Sequence, residues 1–284
     1  MGRESIKRYS PLQSLLLVAP LLIFLSIFYL YPLFDLFPSS LLVDGKFNLQ
    51  NYQRFFEKPL YTKILIRTIR ISLIVAVICF IMGYPVAYFL AELKSPGIAN
   101  LLLVCVLLPL WTSILVRTYS WVVLFQTNGL INKLLLSTQL IKEPLSLLYN
   151  EFAVIVGMVH ILLPFMVLPV YSVLKSLDRN LVRAARNLGA NPLSAFTKVI
   201  FPLSLPGVGA GVMFVFILSL GFYITPAILG GPKTLMISTL IDQQINRLIN
   251  WDFAGAIAVV LLLTTVVMIV VFNKIVGLER IYSE

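Results

Sequence analysis

The sequence predicts an all-α fold, a polytopic membrane protein with six transmembrane helices, and three observations carry that prediction. Mean hydropathy is +0.95, and only 12% of the residues are charged. Uncharged apolar runs of about 20 residues recur along the chain, the length that crosses ~30 Å of hydrocarbon at ~1.5 Å per residue. A soluble core has no use for so many such runs.

The runs cover residues 14–34, 71–91, 95–116, 152–174, 199–232 and 253–273. The first follows Arg3, Lys7 and Arg8 as a signal peptide does, yet it is too long and leads into YPLF rather than a small-residue cleavage site. It reads as a retained first helix. Arg67 and Arg70, one turn apart, introduce the second run as interfacial anchors, and Arg117 closes the third by reaching the interface or a helix end. The fourth run holds His160, the sole histidine, which reads as a packing or hydrogen-bonding residue. Pro164 and Pro169 in the same run are expected to bend it.

An even number of spans places both termini on one side. With the termini inside, the inner segments hold 11 basic and 5 acidic residues, and the outer loops hold 8 and 7. Cationic residues concentrate on the cytoplasmic side, so both termini are predicted cytoplasmic. The net charge of +10 is thereby read as orientation bias rather than as a nucleic-acid surface. Cys79 and Cys105 both fall within spans, and no His cluster exists, so neither a disulfide framework nor a metal site is expected. No G-x-x-x-x-G-K-[ST] loop occurs, and energy must come from another subunit or an ion gradient. The predicted spans contain no Asp or Glu, which argues against the carboxylate relays of a secondary transporter. A membrane enzyme would need a clustered nucleophile, base or metal, and no catalytic residue is assigned.

One stretch interrupts this apolar pattern: RAARNLGANPLSAFTKVIFPLSLPG, residues 183–207. Read as a helix, 178–188 places Leu181, Ala184, Ala185 and Leu188 on one stripe and Arg179, Arg183 and Arg186 opposite. Asp178 suits the N-cap, Gly189 the C′ position, and Asn191-Pro192 a second helix start. Small residues on an exposed stripe admit a second backbone, which suggests docking; an amphipathic helix lying in the headgroups fits the same composition.

Ala184-Ala185, three residues, Gly189, nine residues, Val199, one residue, Phe201-Pro202 resembles the signature loop of inner-membrane permease subunits of type I ABC importers, E-A-A, x3, G, x9, I, x, L-P. The stretches GYPVAYFLA (83–91), PLWTSILVRTYSWVVLF (109–125), HILLPFMVLPVYS (160–172), TPAILGGPKTLMISTLIDQQ (225–244) and NWDFAGAIA (250–258) are similar to the spermidine/putrescine branch of that family. The resemblance implies a single permease domain over 1–284 with a coupling loop at about 175–200. Arg179, Arg183, Ala184, Ala185, Arg186, Gly189 and Pro202 are the residues expected to couple it to an ATPase. Arg183 stands where the family carries glutamate, so an acidic group on the ATPase is expected to face it.

The implied partners are a second permease, two ATP-binding subunits that hold ATP and Mg, a periplasmic substrate-binding protein and the bilayer of a bacterial inner membrane. This chain is expected to bind no cofactor. Polyamine is the substrate the resemblance implies, with opines, aminophosphonates or amino-acid derivatives as the alternative. A polycation needs aromatic faces and carboxylates. Trp111, Tyr119, Trp121, Phe222, Tyr223 and Asp242 are therefore the candidates for its path.

Overall fold

In lipid a backbone must satisfy its own N–H and C=O groups, and this chain does so by forming helices over most of its described residues. The computed structural model describes residues 11–43 and 46–276. The basic residues Arg3, Lys7, Arg8 and Arg280, used above to orient the termini, lie outside them. Helices α1 (Pro11–Leu25) and α2 (Tyr31–Leu41) run on through a π turn at Ser26–Leu30. A ladder of two residues, Leu42–Val43 against Lys46–Phe47, leads to α3 (Gln50–Glu57) and α4 (Pro59–Glu92). Next come α5 (Pro96–Leu107), α6 (Ile114–Phe125), α7 (Leu130–Ser137), α8 (Glu151–Ser176) and α9 (Arg179–Asn187). Helix α10 (Pro192–Ala195) continues through a π turn at Phe196–Ile200 into α11 (Phe201–Leu220). Three more follow: α12 (Ile224–Leu229), α13 (Ile237–Asn246) and α14 (Trp251–Val276).

Four helices among the described residues are long and apolar enough to cross a membrane: Pro59–Glu92, Glu151–Ser176, Pro192–Leu220 and Trp251–Lys274. The predicted third span is not one straight helix. It breaks at Thr112-Ser113 into Pro96–Trp111 and Ile114–Ser137, bent by 92°, and makes a fifth span only if the pair counts as one. Pro109 sits in a 3₁₀ turn whose carbonyl takes both the amide and the hydroxyl of Thr112, and Thr112 and Ser113 are extended. The first run forms a shorter apolar helix, Leu15–Leu30, so six crossings exceed what helix length supports. The fifth run also divides, because α11 ends at Leu220 and Gly221–Tyr223 redirect the chain into short α12. Helix α8, by contrast, continues through Pro164 and Pro169.

The core is the packing of α4, α8 and α11. Ion pairs bracket it at two levels. Arg70 of α4 donates to Glu151 of α8 at 2.5 Å, and Arg179, just past the end of α8, pairs with Glu92 at the end of α4. The two helices therefore run parallel, and the uncharged stretch 71–91 between Arg70 and Glu92 rises about 33 Å, one hydrocarbon thickness. Within that belt Met166, fully buried, is wedged between two glycines. A Cβ on Gly83 of α4 would lie 2.8 Å from Met166 Cγ, and one on Gly211 of α11 would lie 2.8 Å from Met166 Sδ. The close approach of the helices depends on both missing side chains.

A second apolar cluster joins Phe55, Tyr61 and Ile64 to Ile237, Leu240, Phe253 and Ile257. It fixes α13 against the start of α4, where buried Thr68 accepts a hydrogen bond from Ile237 N at 2.9 Å and donates to Ile64 O at 2.9 Å.

Gly83→Leu is expected to overpack this contact and destabilise the fold by about 1–3 kcal/mol, read as a drop of several degrees in Tm in detergent. Adding Met166→Ala should recover part of the loss. An unchanged Tm for the single variant would show that α4 and α8 are not packed this tightly.

Candidate functional site: a loop helix and a cleft at Asp242

Helix α9 is built by its caps. The Asp178 carboxylate accepts from Asn180 N at 2.9 Å at one end, and at the other Gly189 adopts φ +87° while donating to Arg186 O at 2.9 Å. Asn191 then accepts from Ser194 N at 2.7 Å, and Pro192 starts the next helix. The turn predicted around 188–192 is thus present, and the second helix runs from Pro192 through Phe196, Val199 and Ile200 into Pro202 and on as the α11 span.

The orientation of α9 separates its two faces. Val182 packs on the main core, and Arg179 is tied to Glu92 and to Ala91 O, the latter at 2.8 Å. Arg183 and Arg186 line a cleft shared with the ends of α4 and α8. Leu181 (48% exposed), Ala184 and Leu188 (89% exposed) point away from the body, and Ala185 is half-buried at the edge of that stripe. Pro202 is exposed in the first turn of α11, two residues before Ser204, whose hydroxyl is 3.0 Å from the Tyr84 hydroxyl.

The candidate path residues divide between two places. Tyr223 and Asp242 line one cleft of about 530 Å³ between α12 and α13, together with Gln243 and Arg247. Asn246 Nδ2 donates to the Asp242 carboxylate at 2.6 Å, and Tyr223 lies within electrostatic reach of both Asp242 and Arg247. The side chain of Phe222 packs on the main core, while its carbonyl takes the Ser238 hydroxyl at 2.6 Å and so ties this break to α13. Trp121 is engaged elsewhere: its indole N–H donates to His160 Nδ1 at 3.2 Å, with rings T-shaped at 5.8 Å. His160 accepts there, so its proton sits on Nε2.

Trp111 and Tyr119 stay outside both groups. Trp111 stands at the 92° break and is 90% exposed, and Tyr119 is exposed on α6. The hydroxyls of Thr118 and Thr225, 3.3 Å apart, join α6 to α12 beside the cleft. Arg117 lies near His160, and its Nε and Nη1 are buried without a hydrogen-bond partner. Sequence reading missed Gln243, Asn246 and Arg247. Their signal was the polar side of the segment IDQQINR (241–247), legible once that segment is taken as helix.

Residues 83–278 match the family of binding-protein-dependent transport system inner membrane components. The spermidine/putrescine transport system permease protein PotB of Escherichia coli (strain K12) is 37% identical over 240 residues, covering 82% of this chain and 86% of the relative. In the crystal structure of a bacterial ABC transporter involved in the import of the acidic polysaccharide alginate, one chain superposes with a TM-score of 0.77 at 19% identity, covering 94% of each. A bacterial alginate ABC transporter in complex with alginate pentasaccharide-bound periplasmic protein gives 0.73 at 19% identity over 91% of each. The match extends from the Gly83 contact through α9 to α14, and the chain belongs to the binding-protein-dependent transport system inner membrane component family.

Proposed function

We propose that this chain is the permease subunit of an ATP-driven importer, forming half of a pathway for polyamines, spermidine or putrescine. The observation that carries the substrate is the 37% identity to PotB over most of both chains. That the Tyr223 ring and the Asp242 carboxylate line one cleft supports it, since an ammonium group is held by an aromatic face and an anion. Arg247 in the same cleft weakens the local field, so a polycation is held loosely here and selected chiefly by the binding protein that delivers it.

In this reading α1–α2 and the bent pair each cross the membrane, which makes six crossings with both termini cytoplasmic. A second permease, two ATP-binding subunits and a periplasmic binding protein complete the importer, and ATP and Mg reside on the ATP-binding subunits. The outward stripe Leu181, Ala184 and Leu188 seats α9 in an ATPase. Closure of the ATPases on ATP draws the two loop helices together and turns the cavity from outward to inward facing as a rigid-body switch. A second reading, an anionic or zwitterionic solute, is favoured by the two unpartnered guanidinium nitrogens of Arg117, which suit a carboxylate or phosphonate.

The experiment is ATPase activity of the reconstituted complex on titration with binding protein loaded with spermidine, putrescine or an opine. Stimulation by the polyamine-loaded protein alone is expected; stimulation by the opine alone would keep the importer and replace the cargo. Ala185→Leu should reduce the stimulated ATPase rate at least tenfold while Tm stays near wild type, because the bulk falls beside the docking stripe, and Gly189→Val should reduce it as much with a lowered Tm, because a β-branched residue is strained at φ +87°. Normal stimulation in both variants would remove the coupling role from α9. Asp242→Asn should raise the apparent KM for polyamine uptake several-fold with ATPase coupling retained, and an unchanged KM would take Asp242 off the path.

A further inference from the structure

Behind the outward stripe of α9 lies a cleft of about 510 Å³ whose charged lining is Glu92, Lys94, Lys175, Arg179, Arg183 and Arg186. Five cations thus face a single carboxylate, and Glu92 is already paired with Arg179. Among the described residues no ion pair reaches Lys94, Lys175, Arg183 or Arg186. Asp178, close by in sequence, is outside the lining and caps α9 instead. Four like charges converging on one concavity repel each other, and an anion placed among them relieves that repulsion.

We propose that this cleft binds the phosphate of an anionic phospholipid headgroup. Its location favours lipid. The cleft lies where α4 and α8 end, at the level to which lysine and arginine stems extend from apolar helices. The last turns of α4 also line an apolar groove of about 500 Å³, formed by Pro85, Val86 and Phe89 with Leu102, Cys105 and Val106 of α5, which suits an acyl chain. Arginine forks match phosphate oxygens in pairs. An acidic residue of a docked ATPase fits less well. Arg183 and Arg186, though exposed, line the cleft with the ends of α4 and α8, and the stripe that points away from the body is Leu181, Ala184 and Leu188. The bound phosphate bridges α9 to α4 and α8, so anionic lipid stiffens the loop helix. This holds whatever solute the chain carries.

The test is native mass spectrometry of the delipidated complex, purified with its partner subunits, on titration with dioleoylphosphatidylglycerol, dioleoylphosphatidylcholine or inorganic phosphate. One phosphatidylglycerol per copy of this chain is expected at a concentration at least tenfold below that needed for phosphatidylcholine. Lys94→Gln/Lys175→Gln should weaken its retention about tenfold or more, and Lys94→Arg/Lys175→Arg should keep it. Hydrogen exchange across residues 179–188 of the wild-type complex should slow with phosphatidylglycerol and not with phosphatidylcholine, a readout that needs no variant. Equal retention of both lipids, retention unchanged by the Gln pair, or exchange indifferent to lipid would each overturn the proposal. Displacement of phosphatidylglycerol by millimolar inorganic phosphate would overturn the lipid assignment in favour of a free phosphate. Failure of the assembled complex to take up lipid, with uptake by the separated chain, would assign the cleft to an acidic group of the ATPase.

Discussion

The wedge of Met166 between Gly83 and Gly211 is the contact on which the rest of the structure depends. Lipid tails are as apolar as leucine, so helices in a bilayer gain little from hydrophobicity when they meet and must be held by close packing. Met166 supplies that packing to two neighbours at once. Its thioether fills a gap that only two absent side chains could leave, and its flexible stem adapts to both surfaces. With α4, α8 and α11 fixed there, the positions of their ends follow. The buried Tyr84–Ser204 bond then sets the rotation of α4 against α11, with Ser204 about two turns nearer the loop than Gly211.

Charge placement acts on the same three helices from outside the apolar belt. The Arg70–Glu151 and Arg179–Glu92 pairs are partly exposed, and pairs of that kind add little to stability. Their effect is on register: they stand about 33 Å apart along α4, so sliding it past α8 by a turn would break both and drag a charge into hydrocarbon. Arg179 has a double function, since the residue that closes this register also orients α9. Its attachment to Glu92 sets the arginine face along the cleft at the ends of α4 and α8 and leaves the leucine and alanine face pointing away from the body.

The fold class was legible because apolar runs of span length have few alternatives. The loop helix was legible as well, since caps are local: Asp178, Gly189 and Asn191-Pro192 do at short range what their types prescribe. The break at Thr112-Ser113 was not legible. An uninterrupted hydropathy profile cannot show that Pro109 and the Thr112 hydroxyl end a helix while the side chains stay apolar. The place of Arg183 and Arg186 on the cleft side of α9 escaped for another reason. A helical wheel separates two faces but does not say which one meets the body, and that is decided by Glu92, 87 positions before Arg179. The meeting of Tyr223 and Asp242 in one cleft needed the redirection at Gly221, and Trp121 was committed to His160, a partner 39 positions away.

The connection from α9 to the core has a mechanical consequence. Gly189 interrupts the helix only briefly, because Asn191-Pro192 restarts it and α10, the π turn and α11 form one continuous rod into the membrane. A force on the outward face of α9 therefore meets a helix rather than a slack loop. The rod's softest point is the π turn at Phe196–Ile200, whose hydrogen bonding departs from the α pattern. Tyr84 and Tyr88 of α4 stack edge-on against Phe196 there, with ring centroids 6.0 and 5.4 Å apart, and Tyr84 also meets Phe201 at 5.6 Å. Aromatic contacts brace the turn on the side facing the body, so displacement of α9 cannot be absorbed by bending at 196–200 without parting these rings. The motion passes instead to α11 and α4 together, and through Gly211 and Gly83 to Met166. Close packing at one methionine thus ties the three helices together, so that a displacement of one is passed to the other two.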